Sequence, residues 1–417
     1  MKKETAPQKP SPRLWPLLAL LAAGMPLAAA ADTHDRRISF GGFGTIGALY
    51  HDEEGLEYRR SVSQGSGAES GEVDFATDTI GGLQLNAAWN QQLDAVVQGV
   101  TRLSADDDWD PELTRAFVRY NPSESIALRA GRIGWDIYPR ADSRDIGYSQ
   151  LTIRPSVEVF GISPVDHYDG AELVLKRLLG GSVISMRLFG GVPRGEIASS
   201  DGSVSDLGDS KLWGAHVEYE PGAWVLRLGT GVYEADEAPP LEALAAGLRM
   251  TGVPEAVALG NDFASRERKI EFYVAGATYD EGPAQLRLFA AHAHTEQVAF
   301  PDFSVGQAVG GYRVGALTPY ASYSFIHSGR DIRGTGLPDE PQLAPLNAGA
   351  YAVQAASRYN QQTLALGLRW DFLPKLALKL QADHMWIDDS RLVLDDRPDP
   401  SEDAEMSVLG LALDFVF

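Results

Sequence analysis

The sequence predicts an all-β protein, a transmembrane 16-stranded antiparallel β-barrel with short turns at one end and long loops at the other. Three observations predict it. The chain of 417 residues is 44% hydrophobic, yet beyond its N-terminal segment no stretch approaches the ~18 apolar residues of a spanning helix. Apolar side chains recur instead with a period of two. The pattern is sharpest at 405–417, EMSVLGLALDFVF, where Leu409, Leu411, Leu413, Phe415 and Phe417 share one face and Val408, Gly410, Ala412, Asp414 and Val416 the other. A strand of this kind separates an apolar medium from something else. In a barrel in lipid its leucines meet acyl chains and Asp414 turns into a wet lumen. The third observation is that tight turns alternate with long, often acidic connections along the whole chain.

The elements follow in order. Lys2, Lys3, Lys9 and Arg13 form a basic region, 14–27 an apolar one, and Ala28, Ala29 and Ala30 a small-residue cleavage site. This is the layout of a secretory signal peptide, 1–30, cut after Ala30 or nearby and leaving 31–417 as a single barrel domain. Pro16, Gly24 and Pro26 interrupt the segment and argue against a buried helix. Its removal takes away four basic residues and Glu4, moving the formal charge from −21 to −24. A chain this acidic repels nucleic acid, so no nucleic-acid partner is expected. With no cysteine, disulfide scaffolds, thiolate zinc sites and cysteine nucleophiles are excluded.

Strands are expected at 38–50, then at 79–89 and 93–103, joined only by Asn90, Gln91 and Gln92. Pairs joined by short turns follow at 114–120 and 126–135, 170–178 and 182–192, 212–220 and 223–233, 270–279 and 284–295, 305–314 and 317–327, and 363–372 and 375–387. The strand at 405–417 completes sixteen, an even number, as a closed antiparallel barrel requires. Aromatic residues give an independent check. Trp89, Tyr120, Tyr219, Trp224, Tyr279, Trp370, Phe415 and Phe417 lie near the tight turns or the C-terminus, and Tyr50, Trp135, Tyr233 and Trp386 at the opposite strand ends. Two bands at constant depth are what the headgroup zones of a bilayer select.

The long connections carry the charge. Segments 51–76, 104–111 and 388–404 concentrate Asp and Glu. Asp106, Asp107 and Asp108 invite a calcium reading, but no EF-hand spacing is present and a solvated loop fits better, so no metal or other cofactor is expected. Within 234–267, Leu241, Leu244, Ala245 and Leu248 keep helical spacing after Pro239 and Pro240, predicting a short helix.

The lipid-facing positions fix which side chains point inward, since register is strict once one face is apolar. The inward bases are Arg102, Arg115, Arg119, Arg129, Arg187, Arg227, Arg287, Arg369 and Lys379, against the acids Asp94, Glu218, Asp383 and Asp414. A basic wall lowers the entry barrier for anions; equally, the arginines can pair with loop acids and hold the barrel's shape. The connection 136–167, with Arg140, Asp142, Arg144, Asp145, Arg154 and Glu158, is the candidate constriction.

Here the chain resembles a known family. The strand count, the long third loop after the fifth strand and the ending ALDFVF (412–417) resemble the trimeric porins of Gram-negative Proteobacteria. More narrowly, GFGTIG (42–47), ALRAGRIGW (127–135), DIGYSQLTIRPSVEVFG (145–161), LTPYASYSF (317–325) and GLRWDF (367–372) resemble one porin branch. The resemblance implies an outer-membrane channel for small hydrophilic solutes, a homotrimer, loops beside lipopolysaccharide, and a C-terminal strand read by the barrel-assembly machinery. It also implies that the third loop folds into the barrel, so that Arg140, Asp142, Arg144, Asp145 and Arg154 face some of Arg115, Arg119 and Arg129. The alternative from the same residues is a loop-plugged structural or adhesion barrel.

An enzyme is not expected. Gly42, Gly44 and Gly47 satisfy the dinucleotide fingerprint, but inside a strand rather than at a helix start. His292 and His294 share one strand face with Leu286 and Leu288, which places them toward lipid rather than on a metal. No G-x-S-x-G, H-E-x-x-H or P-loop pattern occurs.

Overall fold

A computed structural model of the chain describes residues 37–198, 202–235, 239–264, 269–295, 301–329, 332–355, 358–397 and 403–417. The expected signal peptide lies outside the described residues. The spanning strands are β1 (Arg37–His51), β2 (Ile80–Ala88), β3 (Leu93–Arg102), β4 (Glu112–Ser123), β5 (Ile126–Gly134), β6 (His167–Leu179), β7 (Ser182–Arg194) and β8 (Lys211–Glu220). They continue as β9 (Trp224–Glu234), β10 (Lys269–Glu281), β11 (Ala284–Thr295), β12 (Phe303–Tyr312), β13 (Leu317–Ser328), β14 (Tyr359–Leu373), β15 (Leu376–Ser390) and β16 (Ala404–Val416). Each pairs antiparallel with its neighbours in sequence, and β16 pairs with β1, so the sheet closes. Closure leaves no backbone edge bare to hydrocarbon.

The alternation expected at the C-terminus holds. Leu409 and Leu411 are 52% and 45% exposed on the outer face, whereas Val408, Ala412 and Asp414 between them are buried in the lumen. The same parity puts Leu128, Leu228, Leu366 and Leu380 outside. In β3–β4 a register shift between Gln98 and Gly99 inserts an extra residue, so that Glu112 and Arg115 both project inward.

The aromatic bands need one correction. Trp89, Tyr120, Tyr219 and Trp370 are exposed at the tight-turn end and Tyr50 at the other. Trp135 and Tyr233, however, belong to the interior core rather than the outer belt, and Trp213 and Tyr273 are exposed in their stead. A strand-end position does not specify which face its ring takes once a loop folds inward to cover it. His292 and His294 stand on the outer face, bonded to Ser304 at 3.0 Å and Asp302 at 3.2 Å.

The long loops are packed structures. The helix expected after Pro239 is α1 (Pro239–Met250). A second, α2 (Pro254–Phe263), packs on it through Ala245, Leu248, Ala256, Leu259 and Phe263. A third, α3 (Ala344–Ala355), joins this cluster through Ala350 and was not legible in advance. Inside the barrel, an apolar core occupies part of the loop-side half of the lumen. Leu56, Tyr58 and Val62 of the first loop, Val157, Val159 and Val165 of the third, and Leu392 and Val393 of the last form one core with Leu49, Phe189, Phe272, Ile326 and Met406 of the wall. Arg59, 4% exposed, ties these loops together by donating to the carbonyls of Leu392, Ala198 and Gln64.

Candidate functional site in the barrel lumen

The third loop, 135–166, leaves β5 and crosses the lumen before returning to β6. Its course is set by polar side chains that the strands aim inward. Asp136 accepts from Arg187 of β7 at 2.7 Å and Arg227 of β9 at 3.0 Å, and Arg227 also bonds Glu218 and the carbonyls of Asp136 and Tyr138. The chain then turns at Arg140, whose φ of 67° is left-handed, and Arg140 donates to the Ser149 carbonyl at 2.8 Å. Arg115 of β4 donates to the Asp142 carbonyl.

At its far side the loop meets the closing strands. Lys379 of β15, fully buried, donates to the carbonyls of Gly147 and Thr152, each at 2.8 Å, and pairs with Asp414 of β16 at 2.7 Å. Thr45 of β1 donates to the same Asp414 at 2.5 Å. Residue 147 must be glycine here, because a Cβ would overlap both Thr45 and Asp414. Arg369 of β14 bonds the Tyr148 and Gln150 carbonyls and lies 4.8 Å from the centre of the Tyr148 ring.

Arg154 is held between Asp78 and Asp383, with its guanidinium 4.9 Å from the centre of the Tyr58 ring. Burial alone would weaken its charge; Asp78, then Tyr58 and Asp383, more than offset that and hold it well above the ordinary range. Glu158, also buried, takes neutral donors: Ser156 at 2.9 Å, Ser324 at 2.7 Å, Gln361 at 2.8 Å and Thr363.

The remaining wall is β3–β5. Arg102 pairs with Asp145 at 2.8 Å, with Glu112 at 3.0 Å and with Asp166, and Arg144 pairs with the same Asp166. On the loop side of this cluster lies a cavity of about 640 Å³, bounded by residues 104–111, 195–196 and 206–209. Arg102 and Asp166 also line a smaller adjoining space that reaches Arg60 and Phe160. Toward the tight-turn end, Arg119 pairs with Asp94 at 2.9 Å and Arg129 with Glu172 at 2.8 Å.

The positions expected from the sequence are spread over the whole lumen. Arg102, Arg144 and Asp145 come together at β3, and Arg115 meets Asp142. Arg187, Arg227, Arg369 and Lys379 grip the loop's backbone or Asp136, while Arg154 and Glu158 are sealed against the far wall. Arg119 and Arg129 pair with wall acids, so of the three wall arginines that the resemblance offered to the loop it is Arg115 that touches it. Glu112, Glu172, Asp78 and Asp166 are among the acids that sequence reasoning missed. Leu173 and Leu175 on the outer face of β6 fix Glu172 as inward; Asp78 and Asp166 lie in loops, where no such parity exists. Among the described residues, Arg60, Arg115, Arg140 and Arg287 reach no carboxylate.

No protein-family model matches this chain, and no curated protein sequence matches it. Solved structures do. OmpF of Salmonella typhi shares 12% identity over 91% of this chain and 97% of its own, with a TM-score of 0.55. The outer-membrane channel DcaP of Acinetobacter baumannii shares 13% identity over 94% of this chain and 100% of its own, with a TM-score of 0.54. An anion-selective porin from Comamonas acidovorans shares 12% identity over 92% of this chain and 100% of its own, with a TM-score of 0.50. At these identities the likeness speaks to architecture, and on that architecture, a closed barrel of sixteen antiparallel strands, the chain has the fold of the Gram-negative outer-membrane porins.

Proposed function

We propose that this protein is an outer-membrane porin, a passive channel that carries small hydrophilic solutes between the third loop and the wall of β3–β5, with a preference for anions. The carrying observation is the distribution of unpaired charge. Among the described residues Arg60, Arg115, Arg140 and Arg287 reach no carboxylate, whereas the inward acids Asp94, Glu172, Glu218, Asp383 and Asp414 each have a basic partner. An uncompensated guanidinium in a low-dielectric frame attracts anions. The anion-selective porin among the similar folds agrees with this reading without establishing it. The barrel's apolar outer face and the porin fold support residence in a Gram-negative outer membrane.

A homotrimer is supported by the outer wall. Arg132 and Asp169 pair at 2.8 Å, with Arg194 beside them, on the outward side of β5–β7. Charge at such positions costs less against another copy than against lipid. The loops would then lie beside lipopolysaccharide, and β16 would be the strand read by the assembly machinery. No catalytic role is assigned.

The second reading, a barrel plugged by its loops and serving structure or adhesion, is favoured by the apolar core in the loop-side half of the lumen. Planar-bilayer recording separates the two. The porin reading expects open-channel steps and a reversal potential of anionic sign in a salt gradient, with the anionic sign weakened in Arg115→Ala, Arg119→Ala. Silence from pure, folded protein would favour the plug, and cation selectivity would refute the anion preference alone.

A further inference from the structure

The lumen holds a second chamber, toward the tight-turn end of the barrel. Its volume is about 280 Å³, and it lies between loop residues 148–151 and the tight-turn ends of β10–β14. Four arginines and two aspartates line it. Arg313 pairs with Asp280 at 2.6 Å and Arg369 with Asp371 at 2.7 Å, which engages both acids. Arg140 and Arg287 remain. Arg140 bonds only the Ser149 carbonyl, and Arg287 only the Gln150 amide oxygen at 3.0 Å; the buried Nε of Arg287 has no partner. Neither reaches a carboxylate among the described residues.

Two guanidinium groups confined together repel, and a half-bonded buried cation is costly. Arg140 is moreover held in a left-handed backbone conformation, one that non-glycine residues seldom adopt and that tends to mark functional positions. A ligand with two negative oxygens relieves both the repulsion and the missing hydrogen bonds, since guanidinium forks match carboxylate and phosphate edges.

We propose that this chamber is an oxyanion-binding site, open to the tight-turn end of the barrel, in which Arg140 and Arg287 together hold a small dianion by its carboxylate or phosphate oxygens. The site rests on the porin reading for the ligand's route, but not for binding itself. Calorimetric titration of the folded, detergent-solubilised protein tests it with succinate, inorganic phosphate and acetate as probes. The expected result is one saturable site per chain for succinate or phosphate, the tighter of the two identifying the preferred group, with acetate roughly tenfold weaker. Losing one charge-assisted contact should weaken binding roughly tenfold in Arg140→Gln and in Arg287→Gln, and leave it unchanged in Arg249→Gln on α1. Arg140 lies on the loop, so its variant decides the matter should Arg287→Gln not fold. No saturable binding, acetate binding as tight as the dianions, or indifference to both substitutions overturns the proposal. Conductance measured on the same preparation keeps the two ideas apart: channel steps without binding sink the site alone, and binding without channel steps sinks the channel alone.

Discussion

At the residue scale, the third loop is fixed by ion pairs whose strength depends on enclosure. Asp136 is the clearest case. Burial opposes its ionisation, but Arg227 and Arg187 more than offset that and hold its carboxyl below the ordinary carboxylate range. A carboxyl depressed in the folded state stabilises the fold above its unfolded value of about 3.9, and that stabilisation is lost as pH falls through the folded value. Asp136→Asn should therefore melt lower than the wild type at pH 7, by an amount on the order of 3 kcal/mol if the pairs are fully dry. The gap should shrink in solutions more acidic than about pH 4. Circular dichroism melts across that range check it; a gap that widens on acidification would contradict the pairing. Arg154 makes the complementary case. Its replacement by Ala leaves Asp78 and Asp383 facing one another without the cation between them, at a cost of about 3–5 kcal/mol. Adding Asp78→Asn and Asp383→Asn should recover part of that loss, and failure of any recovery would show that packing on Tyr58, not charge, is what Arg154 supplies.

At the scale of elements, the closing seam between β1 and β16 is built on shape. Gly44 pairs with Phe415, and Phe417 exchanges backbone bonds with Gly42 at 3.0 and 3.3 Å. A Cβ at Gly42 or Gly44 would overlap the rings of Phe417 and Phe415, so the far end of each ring fills the space that a glycine leaves. Gly44→Val should block closure and lower the yield of heat-modifiable, folded barrel severely. Gly310→Val on β12, where a Cβ meets nothing within 4 Å, should fold normally. Equal yields from the two would mean that this space does not matter. This seam also marks what a sequence can disclose. The strands are legible because lipid imposes one rule on outward positions, and the final strand obeys it from Leu409 to its end. The path of the third loop was not legible, since its partners, Lys379 on Gly147 and Arg369 on Tyr148, lie more than two hundred residues away and leave no local pattern. Helix α3 escaped notice for a related reason: its alanine-rich sequence has little apolar periodicity, and its one buried face is defined by α1 and α2.

For the whole molecule, charge reverses along the axis. Toward the loops, the 640 Å³ cavity is lined by eight acids, among them Asp106, Asp108, Asp110, Glu196 and Asp206, against Arg102 on its inner side, while Arg132 and Arg194, which border it, belong to the outward face. Toward the tight turns, arginine prevails over aspartate. A passage with an acidic mouth and a basic mouth fills with carriers when the field drives cations in through the acidic end and anions in through the basic end. It empties under the opposite field. The current in about 0.1 M salt, where the screening length is ~10 Å, should therefore be larger with the loop side positive than with the loop side negative. Raising the salt to about 1 M shortens that length to ~3 Å and should make the response symmetric. Replacing Asp106, Asp108 and Asp110 with Asn should reduce the asymmetry without changing the fold, since these side chains lie on an exposed loop and Asp106 and Asp110 hold no ion pair. Oriented insertion into a planar bilayer reads the effect directly. A symmetric current at low salt, or a larger current with the loop side negative, would mean that the two charged chambers do not lie on one conducting path.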